Sequence, residues 1–288
     1  MASSEQVHIA YKKVSPLPEK KNPGVAPIIL LHGITSAKET WDQVMQPLAD
    51  ETGREVYALD ARNHGDSGWN DDFSSDIIAE DVSRFLQKMS LSKVALIGHS
   101  FGGRAAMKLF PNLVEKLIIE DISPKRPAPT SRHSLLEYIQ AMKKVIEAIP
   151  PNVQDVKEAK KLLRNLLGNT EQGALDDGAE NTDGFYLGIK KGEDGKFVWK
   201  ANMELLEKFA EGKLPSTPAL AGSFKEPALF LCGKYSSFNV EKDEDIIKSM
   251  FPSSTLKRIE AGHQIHLAQP EKFVEEVVKF LNNSQKSS

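Results

Sequence analysis

The sequence predicts an α/β protein in which a mostly parallel central sheet is flanked by helices. Short continuous apolar runs of strand length alternate with longer segments whose apolar residues recur at helical spacing, and this alternation favours βαβ units. Between residues 124 and 224 the helical segments continue without a convincing buried strand. We therefore expect residues 1–123 and 225–288 to form one core, and residues 124–224 to form a helical cap inserted into it.

Each element follows from a local pattern. Residues 7–14 alternate loosely and predict an edge strand or half of a hairpin. Continuous apolar runs are typical of parallel strands buried on both faces, and they occur at 27–31, 55–59, 94–97, 117–119 and 227–231. Residues 255–259 are expected to form the last strand. Helical spacing occurs near 36–48, 75–89, 104–110, 135–149, 156–167, 202–209, 241–251 and 270–281, with a small hairpin expected within 185–199. With residues 7–14 as half of a hairpin, six strands precede the cap, which we therefore expect between strands 6 and 7.

The bulk composition narrows the classes of protein. The chain has 288 residues, a net charge of −3 and an apolar fraction of 40%, which suits a sizeable core and gives no reason to expect nucleic acid or an anionic membrane as partner. No apolar run approaches membrane-spanning length. Cys232 is the only cysteine, so we expect a buried, inert thiol and a reducing compartment. The first residues lack the pattern of a signal peptide, so we expect a cytoplasmic location. The oligomeric state is left open.

One motif carries nucleophile chemistry. Gly98-His99-Ser100-Phe101-Gly102 follows an apolar strand run and precedes a helical segment. This is G-x-S-x-G in the strand–turn–helix setting that exposes a serine hydroxyl above a sheet edge. The bare pattern arises by chance in roughly one chain in ten of this length, so the surrounding residues decide its meaning.

A serine hydroxyl needs a base that takes its proton. His263 lies late in the chain, between the last predicted strand and the last helix, where the order Ser, acid, His requires it. His266 is a weaker candidate, because we expect it inside the following turn. The two histidines could also form half of a metal site, but the sequence offers no evident third ligand, so no metal is expected.

The acid has several candidates. Asp121 ends a core strand, where a carboxylate can accept the Nδ1–H of the histidine. Alternatively, Asp121 has a structural role, in which its side chain caps the helix or turn before Pro124. Glu204 in the cap and Asp243 in the loop after strand 227–231 are the fallbacks, whereas Glu120 should face the other side of the sheet.

Two backbone N–H groups must bind the oxyanion that forms during acyl transfer. The N–H of Phe101 lies directly after the nucleophile, and the loop after Leu31 supplies the second donor, which we assign to Ile34. His32 is expected to be a structural hydrogen-bonding residue.

Five segments together resemble a known family. They are Leu31-His32-Gly33, the loop 59–67 with the pattern Asp-x-Arg-Asn-His-Gly-x-Ser, the segment 98–103, Asp121-Ile-Ser-Pro124 and the segment 261–266. Over essentially the whole chain they are similar to the α/β-hydrolase fold family, and most similar to its branch of α/β-hydrolase domain-containing protein 11 and of YbfF-type esterases. The resemblance implies ester or thioester hydrolysis, with Ser100 and His263 in the triad and an acid after the sixth strand, which supports Asp121. Phe101 departs from the family's usual methionine. Animal members are often mitochondrial, which is the alternative location.

The sequence therefore predicts a serine hydrolase of the carboxylesterase or thioesterase type (EC 3.1) that acts on a small-molecule acyl ester or thioester without a cofactor. Ser100 at the turn argues against the epoxide hydrolases and dehalogenases of the same fold, which use an aspartate there. Two alternatives stay open. One is a non-catalytic binding protein on the hydrolase fold, and the other is an acyltransferase that uses the same triad with an alcohol or amine.

Overall fold

The computed structural model describes residues 5–108, 112–125, 129–168, 186–214, 220 and 222–283. Within these residues, seven strands form the main sheet and two more form a separate hairpin. The strands of the main sheet are β1 Tyr11–Val14, β2 Ile28–Leu31, β3 Val56–Leu59, β4 Val94–His99, β5 Val114–Glu120, β8 Ala228–Gly233 and β9 Ser254–Ile259. The hairpin consists of β6 Ile189–Lys191 and β7 Phe197–Trp199.

The spatial order of the main sheet is β1-β3-β2-β4-β5-β8-β9. Strand β1 pairs antiparallel with β3, and all other neighbours pair in parallel. Strands β2, β3 and β4 are buried at every residue, as their continuous apolar sequences require. Because the strands are parallel, the loops after β2, β4, β5 and β8 meet at one edge of the sheet. The predicted α/β-hydrolase fold class, with a mostly parallel sheet flanked by helices, is confirmed.

Helices cover both faces of the sheet. They are α1 Asp42–Thr52, α2 Ser75–Lys88, α3 Ser100–Ala106, α4 Pro129–Glu147, α5 Val156–Gly168, α6 Met203–Ala210, α7 Glu244–Met250, α8 Ile265–Ala268 and α9 Pro270–Asn282. Adjacent residues of β2 point to opposite faces of the sheet and pack into different cores. Ile29 packs with residues of α2 and α3, and Ile28 packs with residues of α1 and α9. The side chain of Ser74 accepts the Ile77 N–H and begins α2, as expected of an N-cap serine.

Residues 124–224, for which we predicted a helical cap, contain α4, α5, the β6–β7 hairpin and α6. The indole N–H of Trp199 in the hairpin donates to the Met142 carbonyl in α4 at 2.9 Å, which joins two elements of this segment. Residues 126–128, 169–185, 215–219 and 221 of the predicted cap lie outside the described residues.

The numbering of the strands differs from the sequence prediction. Among the described residues the insertion follows β5 and precedes β8, so it lies between the fifth and sixth strands of the main sheet rather than between strands 6 and 7. The N-terminal stretch contributes the single strand β1, which pairs with β3. Its loose alternation could not distinguish one edge strand from a hairpin, because both expose one face to solvent.

In the described part of the chain, none of the helices has the length and apolar character that crossing a membrane requires.

Candidate active site

The predicted nucleophile lies in a sharp turn between β4 and α3. Ser100 has a φ of 51°, in the left-handed region that residues with a Cβ atom rarely adopt. A Cβ atom at Gly98 would lie 2.6 Å from the Gly102 carbonyl oxygen, and one at Gly102 would lie 2.5 Å from the His32 carbonyl oxygen. Only glycine fits at these two positions. The local sequence therefore forces the turn that places Ser100 at the carboxyl edge of the sheet.

Asp121 and His263 are joined by a hydrogen bond. The Nδ1–H of His263 donates to Asp121 Oδ2 at 2.7 Å. Asp121 is fully buried at the end of β5, and 13% of the His263 side chain is exposed. The carboxylate also accepts the Gly233 N–H at 2.8 Å and the hydroxyl of Ser236. Because Nδ1 carries the proton, the lone pair of the neutral imidazole lies on Nε2, the nitrogen that can act as a base.

His99 links the turn that carries His263 to the nucleophile turn. Its Nε2–H donates to the His263 carbonyl oxygen at 3.0 Å, and the two rings lie 4.6 Å apart. Burial, together with the neighbouring His263 and His266, holds the pKa of His99 well below its usual value. His99 therefore stays neutral. Since Ser100 is the next residue, this contact holds the turn of the predicted nucleophile against the segment of His263.

Hydrogen bonds of His32 fix the peptide that carries one of the two predicted oxyanion donors, Ile34. The Nδ1–H of His32 donates to the Gly33 carbonyl oxygen at 2.7 Å, and its Nε2 accepts the Ala61 N–H at 3.0 Å. That carbonyl belongs to the same planar peptide as the N–H of Ile34, so fixing one fixes the direction of the other. Burial lowers the pKa of His32 to about 4, which keeps it neutral. As predicted, the side chain of His32 has a hydrogen-bonding role.

Most of the chain matches a known protein family. Residues 26–270 match the family described as alpha/beta hydrolase fold. The chain belongs to the α/β-hydrolase fold family. It is 32% identical to the "sn-1-specific diacylglycerol lipase ABHD11" of Danio rerio, over 88% of this chain and 78% of that protein. The resemblance to this branch of the family is thereby confirmed.

Other relatives carry different printed activities. The chain is 27% identical to a "Probable alcohol acetyltransferase" of Wickerhamomyces anomalus, over 91% of this chain and 80% of that protein. A solved structure, "Marine microorganism esterase", has a TM-score of 0.74 and 29% identity, covering 96% of this chain and all of that one. The lipase and esterase relatives support ester cleavage of the serine-hydrolase type as the general activity of this family member.

The fallback acids have other partners. Glu204 is exposed and forms an ion pair with Lys143 at 2.6 Å. Asp243 accepts the hydroxyl of Ser123 at 2.6 Å and the ammonium of Lys125 at 3.0 Å. Of the three candidate acids, Asp121 is the one that accepts a hydrogen bond from His263. In the described residues, no group of three or more His, Cys, Asp or Glu side chains is arranged to hold a metal ion.

His266, the weaker candidate base, belongs to a second buried group. Glu120 accepts the backbone N–H of His266 at 2.9 Å and its Nδ1–H at 2.8 Å. The other ring nitrogen lies 2.8 Å from the hydroxyl of Thr40. Glu120 and His266 are both fully buried. Two adjacent residues at the end of β5 thus form hydrogen bonds with two histidines of one segment. Asp121 binds His263, and Glu120 binds His266.

Sequence reasoning missed two residues of the loop after β8. Ser236 bonds Asp121, and Phe238 stacks on His263 with ring centroids 4.0 Å apart and planes tilted by 9°. A signal for the first existed, because serines occupy this loop where family members often have the acid. The loop has no periodic pattern that would have indicated where the Phe238 ring lies.

Proposed function

We propose that this chain is a serine hydrolase that cleaves small-molecule carboxylic esters or thioesters through an acyl-enzyme. One observation carries the proposal. The buried carboxylate of Asp121 accepts the Nδ1–H of His263 at 2.7 Å, and His99 ties that histidine to the turn of Ser100. A strained serine turn beside an oriented imidazole is the arrangement that activates a hydroxyl for attack on an acyl carbon.

In the first half of the reaction, Ser100 Oγ attacks the carbonyl carbon while its proton moves to Nε2 of His263. The carbonyl oxygen becomes an oxyanion, which the N–H groups of Ile34 and Phe101 bind. The intermediate then collapses, and the bond to the leaving oxygen or sulfur breaks. The proton on His263 passes to the leaving group, and the acyl group stays on Ser100.

In the second half, water attacks the acyl-enzyme and gives one proton to His263. A second oxyanion forms in the same place and collapses to the carboxylic acid, and Ser100 regains its proton from His263. Asp121 keeps the ring in the Nδ1–H tautomer and stabilises the imidazolium that forms twice in this cycle. Every step uses groups of this chain and the substrate, so the reaction requires no cofactor.

Covalent labelling tests the nucleophile. A fluorophosphonate probe should label the wild type and leave Ser100→Ala unlabelled, and turnover of p-nitrophenyl acetate or butyrate should be lost in the same variant. Labelling of both proteins would contradict the assignment of Ser100. A wild type that neither reacts with the probe nor turns over either ester would favour the non-catalytic binding protein.

Acyl transfer is the second candidate, favoured by the relatives named alcohol acetyltransferases. The same acyl-enzyme would then be attacked by an alcohol instead of water. Product analysis in mixtures of water and ethanol separates the two reactions. Transfer would be established if the ratio of ethyl ester to free acid greatly exceeds the molar ratio of ethanol to water. Hydrolysis would be established if the two products form in proportion to ethanol and water.

A further inference from the structure

A small apolar cavity lies beside the two predicted oxyanion donors. Ile34 and Phe101 both line it, and its inner wall is made by the buried side chains Leu31, Leu59 and Ile78. Its volume is about 10 Å³, about the smallest that can hold one water molecule. In the proposed reaction these N–H groups bind the acyl oxygen, which would place the acyl chain beside this cavity. The cavity as it stands can accommodate little more than a methyl group.

Phe101 lines the cavity, and two further phenylalanines pack against its ring. The rings of Phe101 and Phe73 are stacked, with centroids 4.9 Å apart. Phe209 of α6 packs edge-on against both, at 5.4 Å from Phe101 and 5.2 Å from Phe73. Such mutual packing holds each ring in place. The ring of Phe101, the residue after the nucleophile, is therefore held in place by Phe73 of the core and Phe209 of the cap.

We propose that three phenylalanines restrict the acyl group of the substrate to short chains such as acetyl. We call these residues, Phe73, Phe101 and Phe209, the aromatic wall. The inference rests on the proposed function. Phe101 lines the cavity and the other two rings pack against it, so a chain longer than the cavity holds must displace packed rings. Because Phe209 belongs to α6, the position of the cap sets the acyl length. Each methylene buried in additional apolar space would contribute roughly four-fold to kcat/KM.

The test compares p-nitrophenyl acetate, butyrate, octanoate and palmitate with the wild type, Phe209→Ala and Phe101→Leu. The wild type should prefer acetate. In Phe209→Ala the ratio of kcat/KM for octanoate to that for acetate should rise at least about ten-fold, the gain from two buried methylenes. Phe101→Leu should change the ratio in the same direction. Phe280→Ala is the matched control, because Phe280 packs with the core on the other face of the sheet.

The outcomes are distinct. A wild type that prefers octanoate or palmitate, or variants that keep the wild-type ratio while Ser100 still reacts with the fluorophosphonate probe, would overturn the aromatic wall and leave the proposed function standing. A series of acetate esters with longer alcohols shows which half of the substrate is restricted. If the variants shift only that series, the wall limits the alcohol and the inference is wrong. Failure of all proteins to react with probe and esters would overturn both proposals.

Discussion

Replacing Asp121 by asparagine changes one oxygen of the carboxylate to an amide nitrogen. The carboxylate now accepts three hydrogen bonds, from His263, Gly233 and Ser236. An asparagine retains one acceptor oxygen, and its NH₂ group would face a donor. The least disruptive solution is that the amide oxygen keeps the Gly233 N–H and the NH₂ group donates to Nδ1 of His263. The proton of the imidazole then moves to Nε2, and the base is lost.

The expected loss in kcat is about 10⁴-fold, the effect of the same tautomer change in a serine protease, or about 5.4 kcal/mol of transition-state stabilisation. Steady-state kinetics with p-nitrophenyl acetate measure it, and circular dichroism and thermal melting check the fold. Glu204→Gln is the control, because Glu204 is exposed and paired with Lys143, and its kcat should stay within about two-fold of the wild type. Asp121→Asn with more than a tenth of the wild-type kcat, or an equal loss in Glu204→Gln, would refute the assignment.

Three further predictions concern neighbouring groups. Ser236→Ala removes a donor to Asp121 and should lower kcat about ten-fold with KM unchanged; an additional ten-fold loss on top of Asp121→Asn would show that Ser236 acts elsewhere. The pKa of His32 is lowered from 6.5 to about 4 chiefly by burial, so the unfolded chain binds a proton that the folded chain does not. Stability should therefore fall by up to about 3 kcal/mol as the pH decreases from about 6.5 to about 4. Urea unfolding at pH 7 and pH 5 measures this loss, and an undiminished pH slope in His32→Asn would contradict it. Glu120→Leu leaves His266 buried without its carboxylate and should lower the free energy of unfolding by about 3–5 kcal/mol, whereas Glu120→Gln should lose less; equal losses would show that the charge is unimportant.

The local part of the site was predictable because short-range sterics determine it. The glycines at 98 and 102, the strand before them and the helix after them form a local pattern that indicates the nucleophile turn. The parallel sheet was predictable for a similar reason, since continuous apolar runs suit only strands covered on both faces. The strand count was wrong by one at the N-terminus, where a polar, loosely alternating stretch gives no such constraint.

Contacts between distant segments required the tertiary structure. Three carboxylates, Asp121, Glu204 and Asp243, were compatible with the chain order. The packing of β5 against β8, and of β8 against β9, brings Asp121 to His263, 142 residues later in the chain. The same packing brings Ser236 to that carboxylate and Glu120 to His266. Neither pair has a sequence spacing that could reveal it.

The sequence by itself thus predicted the fold class and the serine turn, because each depends on patterns of residues close together in the chain, and it predicted the histidine from the chain order Ser, acid, His. The tertiary structure decided which acid contacts the histidine, which ring stacks on it, and which phenylalanine stacks on Phe101. The physical reason is that the edge of a parallel sheet gathers the ends of strands that lie far apart in sequence. Side chains meet there through strand order and register, which local patterns do not encode.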